Sequence, residues 1–379
     1  MRALGIIVGV VLIAGILQDA FETIVLPRRV ARRIRFTRMF YRTTWIPTAA
    51  LARRITSNNR RETFLGFFGP LSLILLISVW ATGLIVGFAA LHICFDAPLN
   101  GTKEVSFFNY VYFSGTTFFT LGFGDLTPSD TTGRMLAVTE AGTGFGFLAL
   151  IIGYLPVIYQ AFSRREAIIS LLDARAGSPP SAAELIRRHS GSIQELEQLL
   201  RDWERWAADL MESHLSYPVL CYYRSQHNNQ SWLTALTAVL DACSLVIVGI
   251  DGAPTRQAQL TFAMARHAVV DLAQIFNTAP RAPELDRLTP TEMQRLRSVL
   301  AASGMKLADG ETANQRLAEL RGMYEQFAVP LAEYLYISIP DWVPSRERYD
   351  NWQTSRWGRI SGLTQPCTIP AREEHEDHF

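Results

Sequence analysis

The sequence predicts an all-α membrane protein: three transmembrane helices, a short re-entrant helix with a loop after it, and an all-helical cytoplasmic C-terminal domain. Three observations carry this. Three stretches are apolar enough to cross a bilayer, a block of arginines separates the first from the second, and everything after residue 161 has helical signatures. The chain has 379 residues, 49% of them hydrophobic, which suffices for one compact membrane unit and one soluble domain.

The first span is expected within residues 1–26. Leu4 to Leu17 is continuously apolar and reaches about Leu26 if Gln18, Asp19 and Glu22 lie at one end, close to the roughly 20 residues a bilayer core requires. A secretory leader would want a basic stretch before the run and a small-residue cleavage site after it. Only Arg2 precedes it and charged residues follow, so an uncleaved span fits better. Asp19 and Glu22 are expected at the interface or paired with nearby arginines.

Residues 27–63 are a basic cytoplasmic linker holding Arg28, Arg29, Arg32, Arg33, Arg35, Arg38, Arg42, Arg53, Arg54, Arg60 and Arg61. Translocating that much positive charge is costly, which places the linker inside, the N-terminus outside and residues 161–379 in the cytoplasm. The arginines near 28–35 alternate with Val30, Ile34 and Phe36, as in an amphipathic helix on anionic lipid or in a solvated basic loop.

Residues 64–160 form one unit. Its outer helix covers 67–93 and is uncharged apart from His92; its last helix covers 134–160 and is interrupted only by Glu140. Between them, Ser106 to Phe118 is aromatic, uncharged and about three turns long, and "TTFFTLGFGD" runs from Thr116 to Asp125. Irregular backbone at membrane depth must line a cavity or be buried in protein, so a re-entrant helix over 106–118 and a loop over 119–126 fit. The loop has the means to replace a cation's hydration shell with main-chain oxygens. Consecutive carbonyls face one axis only if alternate residues take left-handed dihedrals, which Gly122 and Gly124 permit. Thr120 adds a hydroxyl oxygen, Phe123 packs outward, and the carboxyl end of the preceding helix directs partial negative charge along the path. Asp125 would face the outer mouth and concentrate cations.

"TLGFGD" at residues 120–125 resembles the selectivity filter of the potassium-channel family, whose commonest form is TVGYGD, and the setting of span, short helix, filter, "LTP" and "GR" over residues 67–160 is similar too. The resemblance implies a pore helix at 106–118, with K⁺ as the permeant ion bound by the carbonyls of Thr120, Leu121, Gly122 and Phe123 and the Thr120 hydroxyl at the inner end. It also implies a Tyr112–Asp125 pair, since a pore-helix aromatic bonds the aspartate after the filter in the simplest relatives. Phe123 replaces the usual tyrosine and Leu121 the usual valine, which removes one hydrogen bond behind the filter and adds bulk. A single motif cannot enclose an ion, so the resemblance implies a homotetramer.

In the last span, Gly142, Gly144 and Gly146 each weaken helix propensity by about 1 kcal/mol, and small residues also permit close helix contacts. Gly144 matches the family's inner-helix hinge by its spacing from "GR", and Pro156 can bend the helix near the cytoplasmic end. An acid at mid-span costs roughly 2.5–3.5 kcal/mol, so Glu140 must face protein or water. It supports the filter from behind, binds cations in the cavity, or is a protonated carboxyl bonded to the pore helix.

Beyond 161, "SAAE" (181–184), "SIQE" (192–195) and "TPTE" (289–292) have capping-box spacing, and "AGSPPS" (176–181) reads as a linker. Trp232 to Ile250 is apolar around Asp241; with no Arg-rich flank to orient it in a membrane, a buried helix of the soluble domain fits better than a fourth span. The stretch from His214 to Trp232 is either a pocket for an unidentified cytoplasmic ligand or a polar network joining two helices. The residues 373–379 read as an acidic tail. Cys94, Cys221, Cys243 and Cys367 lack metal or disulfide spacing. The net charge of +1 speaks against nucleic-acid binding, no dinucleotide fingerprint surrounds the glycines, and neither a cofactor nor enzymatic activity is expected. The expected function is a tetrameric potassium channel of the plasma membrane with a helical domain for gating or assembly. The alternatives are a weakly selective monovalent cation channel and a membrane-anchored enzyme or scaffold.

Overall fold

The computed structural model describes residues 2–26, 35–101, 106–226 and 230–344. Arg28, Arg29, Arg32 and Arg33, with Val30 and Ile34, lie outside them, as do Cys367 and the acidic tail. The chain divides into two compact units, residues 1–163 with 213–224, and residues 164–212 with 225–379.

Unit 1 is a membrane unit. Helix α1 (Arg2–Ile24) lies along α4 (Phe68–Cys94). Both are apolar enough to span a bilayer, as is α6 (Thr131–Ala176). Ile16 packs at Gly83 and Ile13 at Gly87, so small residues let α1 approach α4 closely. Asp19 and Glu22 are buried in protein. Asp19 accepts hydrogen bonds from the Trp80 indole N–H at 3.1 Å and from the Thr37 hydroxyl, and Glu22 meets Arg35 at 3.6 Å. Burying these carboxylates is tolerable because each has donors.

The basic segment is largely helical in its described part, with α2 at Phe36–Arg53 and α3 at Asn58–Gly66. Thr37, Phe40, Tyr41, Trp45, Ala49 and Ala52 recur on one face of α2 and are buried, the period of an amphipathic helix. α6 does not stop at residue 160. It continues to Ala176 because no helix breaker occurs before Gly177, whose φ of +83° ends it.

Residues 213–224, distant in sequence, complete unit 1. A 3-10 turn at Pro218–Tyr222 puts Tyr222 among Tyr41, Trp45 and Phe68 at centroid distances of 5.6, 4.9 and 5.2 Å. Tyr217 stacks edge-on against Tyr154 of α6 at 5.6 Å, Tyr223 meets Phe162 at 5.6 Å, and Arg224 reaches Glu62 at 3.6 Å. Residues 217–224 of the stretch expected as a pocket or polar network therefore form an aromatic clamp on the membrane unit, while Ser225 and Gln226 bond the Glu166 carboxylate at 3.1 and 3.4 Å. His227, Asn228 and Asn229 of that stretch lie outside the described residues.

In its described residues unit 2 is helical. It holds α7 (Ala182–Arg188), most of α8 (Ile193–Ser216), α9 (Trp232–Gly249), α10 (Thr255–Ile275), α11 (Pro290–Ala302) and α12 (Glu311–Leu335). Ser181, Ser192 and Thr289 accept the backbone N–H of Glu184, Glu195 and Glu292, so all three caps form. Every residue from Trp232 to Ile247 is buried, with α9 packed against α7, α10 and α12; its apolarity reflects the core of a helical domain. Asp241 on α9 is held by Arg287 at 2.6 Å and by the Tyr324 hydroxyl, and Arg287 also meets Glu325 at 2.8 Å and donates to the Pro340 carbonyl at 2.7 Å. Burial pushes the Tyr324 hydroxyl far above its ordinary range, and the Asp241 carboxylate beside it pushes the same way.

Candidate functional site

The candidate site is the loop after the short helix α5 (Phe107–Phe118). That helix ends without a glycine. Instead, backbone N–H groups of the loop satisfy its last carbonyls: Thr120 donates to Thr117 at 3.0 Å and Leu121 to Thr116 at 2.8 Å. The loop thus starts directly on the helix axis, where the partial negative charge of the carboxyl end is largest.

Thr120, Gly122 and Gly124 have φ of +56°, +58° and +78°. Every second residue is left-handed, as a column of carbonyls facing one way demands. The two glycines take that conformation with no Cβ penalty, while Thr120 takes it at a cost of about 1–2 kcal/mol. Leu121 and Phe123 are 56% and 68% exposed, and no residue from Phe119 to Asp125 is buried by its own chain.

Three ties hold the loop. The Tyr112 hydroxyl donates to the Asp125 carboxylate at 2.9 Å, bracing the loop's outer end against α5. Strand β1 (Leu99–Asn100) pairs antiparallel with β2 (Thr127–Pro128), joining the segment before α5 to the segment after the loop. Tyr110 sends its hydroxyl to the Ala97 carbonyl at 2.9 Å, and its ring packs with Ala89, Leu99 and Phe113.

Glu140 of α6 is fully buried behind α5. Its Oε2 lies 3.3 Å from His92 Nε2 of α4, and the His92 ring meets Phe113 of α5 edge-on at 5.1 Å. The partner of Glu140 is thus on the outer helix, and the three helices around the loop meet at this one pair. Glu140 Oε1, His92 Nδ1 and the Ser114 hydroxyl are buried without a hydrogen-bond partner among the described residues. His92 was legible in the sequence only as the one basic group in its helix.

Gly144 lies where α6 crosses the end of α5. A Cβ there would stand 1.9 Å from the Phe118 carbonyl oxygen, so only glycine lets the two helices approach this closely. Phe147, one turn on, meets Phe118 at 5.8 Å. Gly142 and Gly146 have open space at the corresponding position. Pro156 is exposed, and α6 remains helical through it. Thr120, Leu121, Gly122, Phe123, Gly124, Asp125 and Tyr112 are therefore brought together with α5; Glu140 and Gly144 support that helix from behind, and Pro156 is remote.

Residues 74–160 match the ion channel family. Over 237 residues the chain is 22% identical to the "Uncharacterized membrane protein YdjJ" of Bacillus subtilis (strain 168), covering 59% of this chain and 68% of the relative. No solved structure matches it. The apolar helices mark a membrane protein, and residues 74–160 are similar to ion channels.

Proposed function

We propose that this chain, which carries an ion-channel family segment at residues 74–160, assembles as a homotetramer that conducts K⁺ through Thr120 to Gly124. The observation that carries the reading is the left-handed backbone at Thr120, Gly122 and Gly124. With alternate residues so placed, the carbonyls of Thr120, Leu121, Gly122 and Phe123 can turn to one side and replace the water stripped from a cation. One chain supplies one wall. The exposed Leu121 and Phe123 need cover that their own chain does not provide, and copies arranged around an axis would both bury them and close the ring. Asp125, held by Tyr112, would concentrate cations at the mouth. K⁺ is then the permeant ion, no cofactor takes part, and the function is transport with no catalysis.

The arginines of the segment between α1 and α4 favour the cytoplasmic side for that segment and for unit 2 of a plasma-membrane protein, with the N-terminus outside. Unit 2 would regulate the pore through residues 213–224. The chain leaves unit 2 within α8 and at once clamps Tyr154 and Phe162 of α6, below Gly144, so displacement of α8 by an unidentified ligand would act on the inner helix. Gly144 serves as the hinge and Pro156 as the bend in this reading.

A second reading, a pore weakly selective among monovalent cations, rests on Phe123. It has no hydroxyl to donate behind the loop, and its ring is exposed in the single chain. Proteoliposomes holding the full chain decide both. The expected result is K⁺ flux, a reversal potential that follows the K⁺ gradient over Na⁺, and loss of flux in Gly122→Ala. Flux unchanged by Gly122→Ala overturns the proposal. A reversal potential indifferent to K⁺ and Na⁺ favours the second reading.

A further inference from the structure

We infer that the outward face of α2 is a seat for anionic phospholipid headgroups. This inference rests on the membrane placement of the chain and is independent of conduction. From Thr23 to Arg61 the sequence contains no aspartate or glutamate and many arginines, of which Arg35 pairs with Glu22 of α1. α2 is nonetheless fixed to the membrane unit. Thr37 in its first turn bonds Asp19, where the apolar run of α1 ends, and Trp45 two turns later packs on Phe68, which opens α4, at 4.8 Å. The helix therefore lies beside the ends of two spans, at the depth of the headgroups.

The face turned away from α4 combines two kinds of group. Met39 and Ile46, 55% and 54% exposed, fall two turns apart on one stripe, continued by the exposed Ala50. Arg38 and Arg42, one turn apart, line one side of that stripe, are exposed, and form no ion pair among the described residues. An apolar stripe bordered by free guanidinium groups is the surface of a helix at the lipid–water boundary: methylene and thioether groups enter the acyl region while the positive charges attract anionic phosphate. Bulk water would leave the stripe uncovered, and a neutral headgroup would leave the charge unmatched.

The test uses the full chain in mild detergent, incubated with mixed micelles of phosphatidylglycerol and phosphatidylcholine at graded ratios. Lipid retained after washing is counted by mass spectrometry for wild type, Arg38→Gln/Arg42→Gln and Arg38→Lys/Arg42→Lys. Separately, Ile46→benzoylphenylalanine is photolysed in bilayers and the adducts are weighed. The expected result is preferential retention of phosphatidylglycerol, weakened about fivefold for each arginine lost in the Gln variant and near wild type in the Lys variant. Glycerol phosphate should not compete, and the adduct should be a lipid. Equal retention in wild type and Gln variant, equal loss in both variants, competition by glycerol phosphate, or an adduct with a second copy or a soluble protein each overturns it. None of these readouts involves ion flux, so the proposal fails or stands apart from the potassium reading.

Discussion

Gly144 has no room for a side chain. The Phe118 carbonyl oxygen stands where its Cβ would be, at 1.9 Å, and that carbonyl belongs to rigid helix backbone that cannot step aside. Gly144→Ala should therefore push α6 away from α5 and disturb the loop from behind, with a loss of stability of about 1–3 kcal/mol. Gly142→Ala, where nothing lies within 4 Å, should be neutral or slightly stabilising through helix propensity. Thermal unfolding of the two variants in detergent checks the contrast, and equal shifts would refute the close-approach explanation. Tyr112→Phe removes one hydrogen bond to Asp125 and no packing. If the loop is the proposed potassium pathway, a net cost of about 0.5–1.5 kcal/mol concentrated at its outer end should lower K⁺ selectivity or hasten loss of flux while leaving unfolding of the whole chain nearly unchanged. The spacing of Tyr112 and Asp125, thirteen residues apart, could be read from the sequence through a family resemblance. The His92–Glu140 pair could not, because its members lie 48 residues apart and nothing local marks His92 as a partner.

At the scale of elements, the aromatic clamp at 213–224 has the clearest consequence. Tyr217 touches Tyr154 of α6, and Tyr222 fills a cluster with Tyr41, Trp45 and Phe68. In the proposed channel, Tyr217→Ala should change open probability in planar bilayers with little effect on assembly or selectivity, since it releases α6 without touching the loop. Tyr222→Ala should cost about 3–5 kcal/mol, as for other large buried aromatics, and be read as reduced yield of folded membrane unit. A Tyr217→Ala channel with wild-type gating would remove the clamp from the gating path. In unit 2, Arg287→Met strips the buried Asp241 of its cation, while Glu325 keeps Arg321 at 3.2 Å; the uncompensated Asp241 charge should cost about 3–5 kcal/mol in chemical denaturation monitored by helicity. Helices with local signals were legible: the three N-caps formed because each depends only on residues within one turn. Helix α2 was hidden because the arginines on both sides of it mark the whole segment as a basic linker, although its buried face, Phe40 to Ala52, has a helical period.

At the scale of the whole molecule, the chain holds two units that interleave in sequence, because residues 213–224 pack with unit 1. Hydropathy along the chain cannot reveal such a return, since the returning segment is only as apolar as any core segment. α9 gives the converse case: sixteen consecutive buried residues from Trp232 to Ile247 have the composition of a span, and only the helices around them and the charged partners of Asp241 place them in a packed domain. If four chains surround the loop, mass measurement of the purified assembly should give four copies, and dimers or monomers under conditions that preserve flux would contradict the ring.

The sequence by itself determined the membrane class, the long apolar helices and the composition of the loop after α5. Each is written in contiguous composition: apolar length, arginine placement, and glycines at alternate positions. Tertiary structure alone decided where the buried carboxylates find donors, why Gly144 must be glycine, and that a segment after residue 212 returns to clamp the inner helix. Those facts depend on which distant surfaces meet. Close packing and the pairing of buried polar groups are properties of the folded neighbourhood, and no window along the chain contains it.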